Sequence, residues 1–250
     1  VERTSVAQPR IAGPRTAVIW SVLRAELAAQ DGRRLTVVDV GGGTGGFAVP
    51  LAEAGHSVTV VDPSPDALAS LLRRAADAGV ADRVHAMQGD ADSLGDLVPP
   101  GGADLVLCHA VLEVVDDPAA VAQALHDTLR PGGAASVLVA NRAAAVLSRA
   151  MAGQWRAAAD LLADPAARLT ARDTLRRRFD LADAQALLAG AALAVESAHG
   201  VRVVADAVPG VIADADPEAL TAFELAVSAL PPYRDVATQV HLLARRRAAR

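Results

Sequence analysis

Five glycines and one threonine, Gly41 to Gly46, follow an apolar stretch and lead into a helical pattern. Gly41, Gly43 and Gly46 satisfy G-x-G-x-x-G, and Asp62 follows about 20 residues on. Glycines here, with Gly45 between them, let the backbone approach a ligand closely, and the helix start offers free N–H donors. Asp62 is placed to accept hydrogen bonds from a ribose diol. Asp39 stands two residues before the first glycine, where a diphosphate would meet a negative charge but a cationic ligand would not. Gly89-Asp90-Ala91-Asp92 supplies a carboxylate and a backbone N–H able to read an adenine edge. His109 reads either as a ligand-facing residue or general base, or as a packing residue. Glu113 reads as its support. Arg202 interrupts the apolar run Val201, Val203, Val204. Arginine can clamp a carboxylate but cannot act as a base, and a solvated strand-edge arginine is the alternative. Asn141 and Arg142 could touch the same acceptor, or satisfy local backbone.

These residues need a frame that brings them to one edge. Helical spacing over 14–30 is followed by a buried strand at 35–40, a short helix at 46–54 and a strand at 57–62. A helix at 65–78 begins at Pro65 and ends before Gly79. Strands at 84–88 and 105–108 come next, then a helix at 118–129 stopped by Pro131-Gly132-Gly133, and a strand at 135–140. Strands alternating with helices indicate βαβ units and a parallel sheet, with the glycine turn and the strand C-termini on one edge. Residues 141–180 break the alternation and read as an Arg-rich helical insert over the acceptor end. Asp180 caps a helix over 181–189. A strand at 193–204, a helix at 217–229 and a strand at 236–244 follow. The expected fold is α/β, one Rossmann-like doubly wound sheet in a single domain over 1–250.

Composition narrows the chemistry. With 52% hydrophobic residues, 58 of them alanine, and only 2% aromatic, the core is Ala/Val/Leu and stacking platforms are scarce. All 24 basic residues are arginine. The absence of lysine excludes a Schiff-base lysine and a P-loop. One cysteine, Cys108, excludes internal disulfides and fits a reducing cytoplasm. The six histidines show no paired spacing, so no metal site is expected. No apolar run reaches the roughly 18 residues of a membrane span, and no signal peptide is expected at the start. The chain opens on Val1 rather than methionine, which reads as loss of a native first residue. Net charge is −5, yet residues 141–180 carry 8 arginines against 4 acids. An anionic partner would touch there. The run Arg176–Arg178 reads as a solvated face or a phosphate contact, and the terminal arginines from Arg245 as a disordered tail.

The glycine fingerprint alone serves NAD, FAD and S-adenosylmethionine equally. Asp39, Gly89-Asp90-Ala91-Asp92 and Leu129-Arg130-Pro131-Gly132-Gly133 together resemble the class I S-adenosylmethionine-dependent methyltransferase family over about residues 35–140. That resemblance implies a seven-stranded sheet with the last strand antiparallel, and S-adenosylmethionine as cofactor. Narrower likeness is carried by the block Cys108 to Pro118, Asn141-Arg142, Met151 to Trp155 and Gly200 to Val203. These are similar to the bacterial tRNA 5-carboxymethoxyuridine methyltransferases, which methylate the carboxylate of a modified wobble uridine. The resemblance implies that Arg15 holds the methionine carboxylate of the cofactor and that Arg202 lies near the acceptor. Departures are Ala140 and Thr238 to His241, where that family is aromatic, and the scattered arginines that replace its lysine-rich insert. The acceptor is therefore expected to be tRNA or a small anionic metabolite. Alternatives are a small-molecule O- or N-methyltransferase and a catalytically silent cofactor-binding module. Asp39 disfavours a dehydrogenase, and oligomeric state stays open.

Overall fold

The computed structural model describes residues 13–164, 166 and 173–247. In chain order the main elements are α1 (Ala17–Ala28), β1 (Thr36–Val40), α2 (Ala48–Glu53), β2 (Ser57–Asp62), α3 (Pro65–Asp77), β3 (Val84–Gln88), α4 (Leu94–Leu97), β4 (Ala103–His109), α5 (Pro118–Thr128) and β5 (Leu129–Ala140). Then come α6 (Arg142–Met151), α7 (Trp155–Ala163), α8 (Leu181–Gly190), β6 (Leu193–Val201), α9 (Gly210–Ala215), α10 (Pro217–Val227) and β7 (Gln239–Arg246). Seven strands form one sheet in the order β3-β2-β1-β4-β5-β7-β6. β1 through β5 pair in parallel, and β7 runs antiparallel to both β5 and β6. The α/β fold and the antiparallel last strand are as the sequence implies.

The central strands are buried on both faces, as parallel sheets flanked by helices require. One face packs Val37, Val58, Val60, Leu105 and Leu107 against Ile19 and Leu23 of α1 and Leu71 of α3. The other packs Val38, Val40, Val106 and Cys108 against Val121 and Leu125 of α5 and Leu188 of α8. Small polar residues start the helices. Ser64, Asp117, Asn141 and Asp216 each accept a backbone N–H from the first turn of α3, α5, α6 and α10. In three of these a proline follows at the first helical position.

Four sequence expectations are corrected. Pro131-Gly132-Gly133 falls inside β5, not ahead of it: the register jumps from Ala103↔Leu129 to Leu105↔Ala134, so 130–133 form a bulge. Gly133 fits there because a Cβ would meet the Arg130, Ala103 and Asp104 carbonyl oxygens at 3.0–3.1 Å. Asp180 precedes α8, but its carboxylate is bonded to Arg142 and makes no cap. β6 stops at Val201, three residues early, because the N–H groups that follow are taken by a side chain of α10. The terminal arginines are not all tail. Arg245 and Arg246 belong to β7, Arg245 bonding Glu26 and Glu196, and Arg246 the carbonyls of His126, Asp127 and Leu129. Residues 248–250 lie outside the described residues. No described helix is long and apolar enough to cross a membrane.

Candidate active site

The strand order reverses between β1 and β4, and a crevice must open where the loops after these strands diverge. The loop after β1 begins with Gly41, whose N–H donates to Val61 O at 2.7 Å. Gly41 has φ +71°, and a Cβ there would lie 2.4 Å from Val111 Cγ2. The loop is thereby pressed between β2 and the turn after β4. Gly43 N donates to Asp62 Oδ2 at 2.9 Å, tying the glycine turn to the end of β2. Positive φ falls at Gly41, Gly43 and Gly45, while Gly46 has open space around it. The positions that require glycine conformation thus follow G-x-G-x-G, at Gly41, Gly43 and Gly45.

Asp39, in β1 beneath this loop, is almost fully buried. Its Oδ2 has no hydrogen-bond partner among the described residues. Gly42 passes so close that a Cβ would sit 2.5 Å from Asp39 Cγ. Burial, helped by the charge of Asp62, pushes the Asp39 carboxyl up to about 7. A buried acid without a partner, facing a turn that admits no side chain, is matched by a ligand carrying a cation.

Beside it lies a cleft of about 440 Å³ lined by Gly41, Asp62, Asp90, Ala91, Val111, Asp116 and Arg176, among others. The Asp62 oxygens accept N–H groups from Gly43 and Ser64, both at 2.9 Å, which fixes the carboxylate yet leaves lone pairs for a diol. Asp90 is exposed and Ala91 buried, at the mouth and the wall respectively. Arg176 pairs with Asp116, so the acids of the cleft outnumber its one arginine. This field repels a diphosphate and suits a sulfonium with its ammonium group.

His109 ends β4. Its Nε2 lies 2.9 Å from Ser136 Oγ, which lies 2.7 Å from His241 Nε2. One hydroxyl proton serves two imidazoles, so Ser136 donates to one ring and accepts from the other. Phe47 meets the His109 ring edge-on at 4.8 Å and stacks obliquely on Trp20 at 5.1 Å. Burial lowers the His109 pKa to about 4, so the ring is neutral at pH 7. Glu113 is buried; it accepts Ala140 N, and burial raises its carboxyl to about 7.

The remaining candidates separate. Asn141 is buried, its amide donating to the Asp235 and Ala237 carbonyls while Oδ1 caps α6. Arg15 does not line the acidic cleft. It stands in a second cleft of about 520 Å³ beside α9 and α10, with its Nε 3.4 Å from Asp206. Arg202 reaches the same Asp206 at 3.3 Å and donates to Gln239 at 2.6 Å. Its own Nε is buried with no partner among the described residues. The run Arg176–Arg178 is not an open phosphate face. Arg177 is bonded to the carbonyls of Leu112, Val115 and Asp116, and Arg178 is buried against Asp173. Sequence reasoning missed Ser136, His241, Asp206 and Gln239. The two histidines His199 and His241 face each other across β6 and β7, but only a known strand register reveals that. Among the described residues no group of three or more potential metal ligands occurs.

A family model for a methyltransferase domain matches residues 15–188. The chain belongs to that family, its class is S-adenosylmethionine-dependent methyltransferase, and its cofactor is S-adenosylmethionine. It is 37% identical over 142 residues to the tRNA 5-carboxymethoxyuridine methyltransferase of Escherichia coli K12, covering 56% of this chain and 54% of that one. It is also 37% identical over 125 residues to the ubiquinone biosynthesis O-methyltransferase of Pseudomonas paraeruginosa, covering 50% of each. The chain spans about half the length of these curated relatives. In fold it matches the S-adenosylmethionine-dependent methyltransferase of Mesorhizobium loti, with TM-score 0.61, 20% identity, and 94% and 100% of the two chains covered.

Proposed function

We propose that this chain transfers a methyl group to a carboxylate oxygen, and that the carboxylate is carried by a modified uridine of tRNA. The observation that carries the reading is Arg202, a buried guanidinium edge whose Nε–H has no partner among the described residues. An unmet donor of this kind calls for an acceptor, and arginine binds a carboxylate by two parallel bonds, so an anionic acceptor would compete with Asp206 for this side chain. Likeness to the tRNA-modifying enzyme of Escherichia coli supports the same acceptor.

When bound, S-adenosylmethionine supplies an electrophilic methyl on a sulfonium. In this reading Asp39 faces its ammonium group, Gly41, Gly43 and Gly45 shape the wall, Asp62 takes the ribose, and Asp90 with Ala91 reads the adenine. Arg15, which pairs with Asp206 beside the second cleft, is not assigned to the cofactor in this reading. Arg202 would hold the acceptor carboxylate, and alignment with exclusion of water would provide the acceleration. No proton leaves a carboxylate that is already ionised at pH 7. That requirement suits His109, which is neutral, tied to Ser136 and a weak base with a pKa of about 4. Asn141 holds the start of the insert to the approach of β7, and the described part of the insert, α6 and α7, would cover the acceptor end.

A second reading has one observation in its favour: His109 Nδ1 is buried without a partner among the described residues, and it could take a proton from a phenol. The relative that methylates in ubiquinone biosynthesis fits that case. The test is incubation with S-adenosylmethionine and bulk bacterial tRNA, followed by nucleoside mass analysis. We expect a uridine derivative heavier by one methylene and, at saturating S-adenosylmethionine, a rate flat from about pH 6 to 8. Transfer only to small phenols, with a rate rising with pH, replaces the carboxylate reading with the second.

A further inference from the structure

Glu224 is one of two buried residues of α10, with Val227, and the only charged one, on a helix whose other faces are largely exposed. A carboxylate is kept from water only where strong donors replace it. Three do so here. Val203 N donates to Oε2 at 2.8 Å, and Val204 N and Ala205 N donate to Oε1 at 2.9 and 2.8 Å. These three amides would otherwise extend β6. Captured by Glu224, they turn the chain away from the sheet directly after Arg202.

Arg202 itself has φ +59°, a conformation that residues with a Cβ rarely adopt. Its carbonyl is held from the other side by Thr238, which donates N–H at 3.2 Å and Oγ1–H at 3.1 Å. The strand end is therefore an arch with Arg202 at its apex. The side chain emerges against Gln239 and Asp206, with Nε left over. A regular strand through 204 would instead alternate Arg202 along the sheet surface.

We propose that Glu224 is a positioning residue for methyl transfer: it builds the arch that presents Arg202 to an anionic acceptor, and touches neither acceptor nor cofactor. The inference rests on the reading of Arg202 as the acceptor clamp. Glu224→Gln keeps the size but puts an amide N–H₂ against at least one backbone donor.

The test is a double-mutant cycle on the full chain with Glu224→Gln, Arg202→Ala and both together, using bulk bacterial tRNA containing 5-carboxymethoxyuridine as acceptor. Glu224→Gln is expected to raise the acceptor KM about tenfold while leaving the affinity for S-adenosylhomocysteine unchanged. In the Arg202→Ala background it is expected to change KM by less than about twofold, because both substitutions remove one function. Glu224→Asp, which keeps the charge but shortens the reach, is expected to fall between wild type and Glu224→Gln. It also serves if Glu224→Gln does not fold. Equal, multiplicative effects in both backgrounds, or an unchanged KM in Glu224→Gln, overturn the role of Glu224 and leave Arg202 standing. An unchanged KM in Arg202→Ala, or no transfer to tRNA by wild type, overturns the clamp reading and this inference with it.

Discussion

Asp39 joins burial to ligand chemistry. Its carboxyl is raised to about 7, so between its ordinary value and pH 7 the folded chain holds a proton that the unfolded chain has lost. For the ligand-free protein this contribution to stability fades as pH rises through that window, and the penalty is complete above about 7. Cofactor binding has the opposite sign, because an ammonium group favours the ionised acid. Affinity for S-adenosylhomocysteine should therefore climb by up to about tenfold per pH unit below pH 7 and level off above it. Asp39→Asn should bind more weakly and with a flat profile. Calorimetric titration from about pH 5.5 to 8.5 checks both; a pH-independent wild type would remove Asp39 from contact with the cofactor. The side chains His109, Ser136 and His241 meet burial in part, since one hydroxyl is shared between the Nε2 atoms of two neutral rings while both Nδ1 atoms have no partner among the described residues.

The decisive element is the turn between β1 and α2. Its shape is set by what its glycines avoid: at Gly42 a Cβ would sit 2.5 Å from the Asp39 carboxylate and 2.9 Å from Val60 Cγ1. Gly42→Ala must push Asp39 or β2 aside. The expected outcome is at least a tenfold loss of S-adenosylhomocysteine affinity, with unfolding free energy lowered by about 1–3 kcal/mol, the range for overpacking. Thermal denaturation with and without the ligand measures both. An alanine variant that binds normally would mean that the loop does not line the cofactor. The elements after β5 obey a different logic. α6 and α7 carry Met151, Trp155 and Leu162 exposed, while the return through 173–180 is stitched to the loop after β4 by Arg176 and Arg177.

Across the whole molecule, Arg245 is the fastener. Its guanidinium bonds Glu26 of α1, Glu196 of β6 and the Gly132 carbonyl of the β5 bulge. Glu26 is buried, so removing its partner strands a charge. Arg245→Ala should cost about 2 kcal/mol or more of stability, discounted from the fully buried case because Arg245 is about a quarter exposed. Arg247→Ala, at an exposed position, is expected to lie within about 0.5 kcal/mol of wild type. Urea denaturation of both variants makes the comparison; equal midpoints would show that the network contributes nothing. The fastener was invisible in the sequence, where Arg245 reads as one of several terminal arginines.

The alternation of β-rich and helical segments, the glycine turn, Asp39 and Asp62 were legible from the chain alone. Each depends on contacts within roughly one βαβ unit, and period, turn chemistry and spacing record such local constraints. The cofactor followed from them because one buried acid before the glycines discriminates between ligand charges. What Arg202 and Asn141 do depended on pairings across 30 or more residues: Arg202 with Gln239, Asn141 with Ala237, Ser136 with His241. Only strand register and the docking of α10 fix those partners. The end of β6 shows that a shorter span can also be decided by docking, since Val203 and Val204 have every local reason to continue a strand, and the packing of α10 brings a carboxylate 19–21 residues away to take three of the amides there.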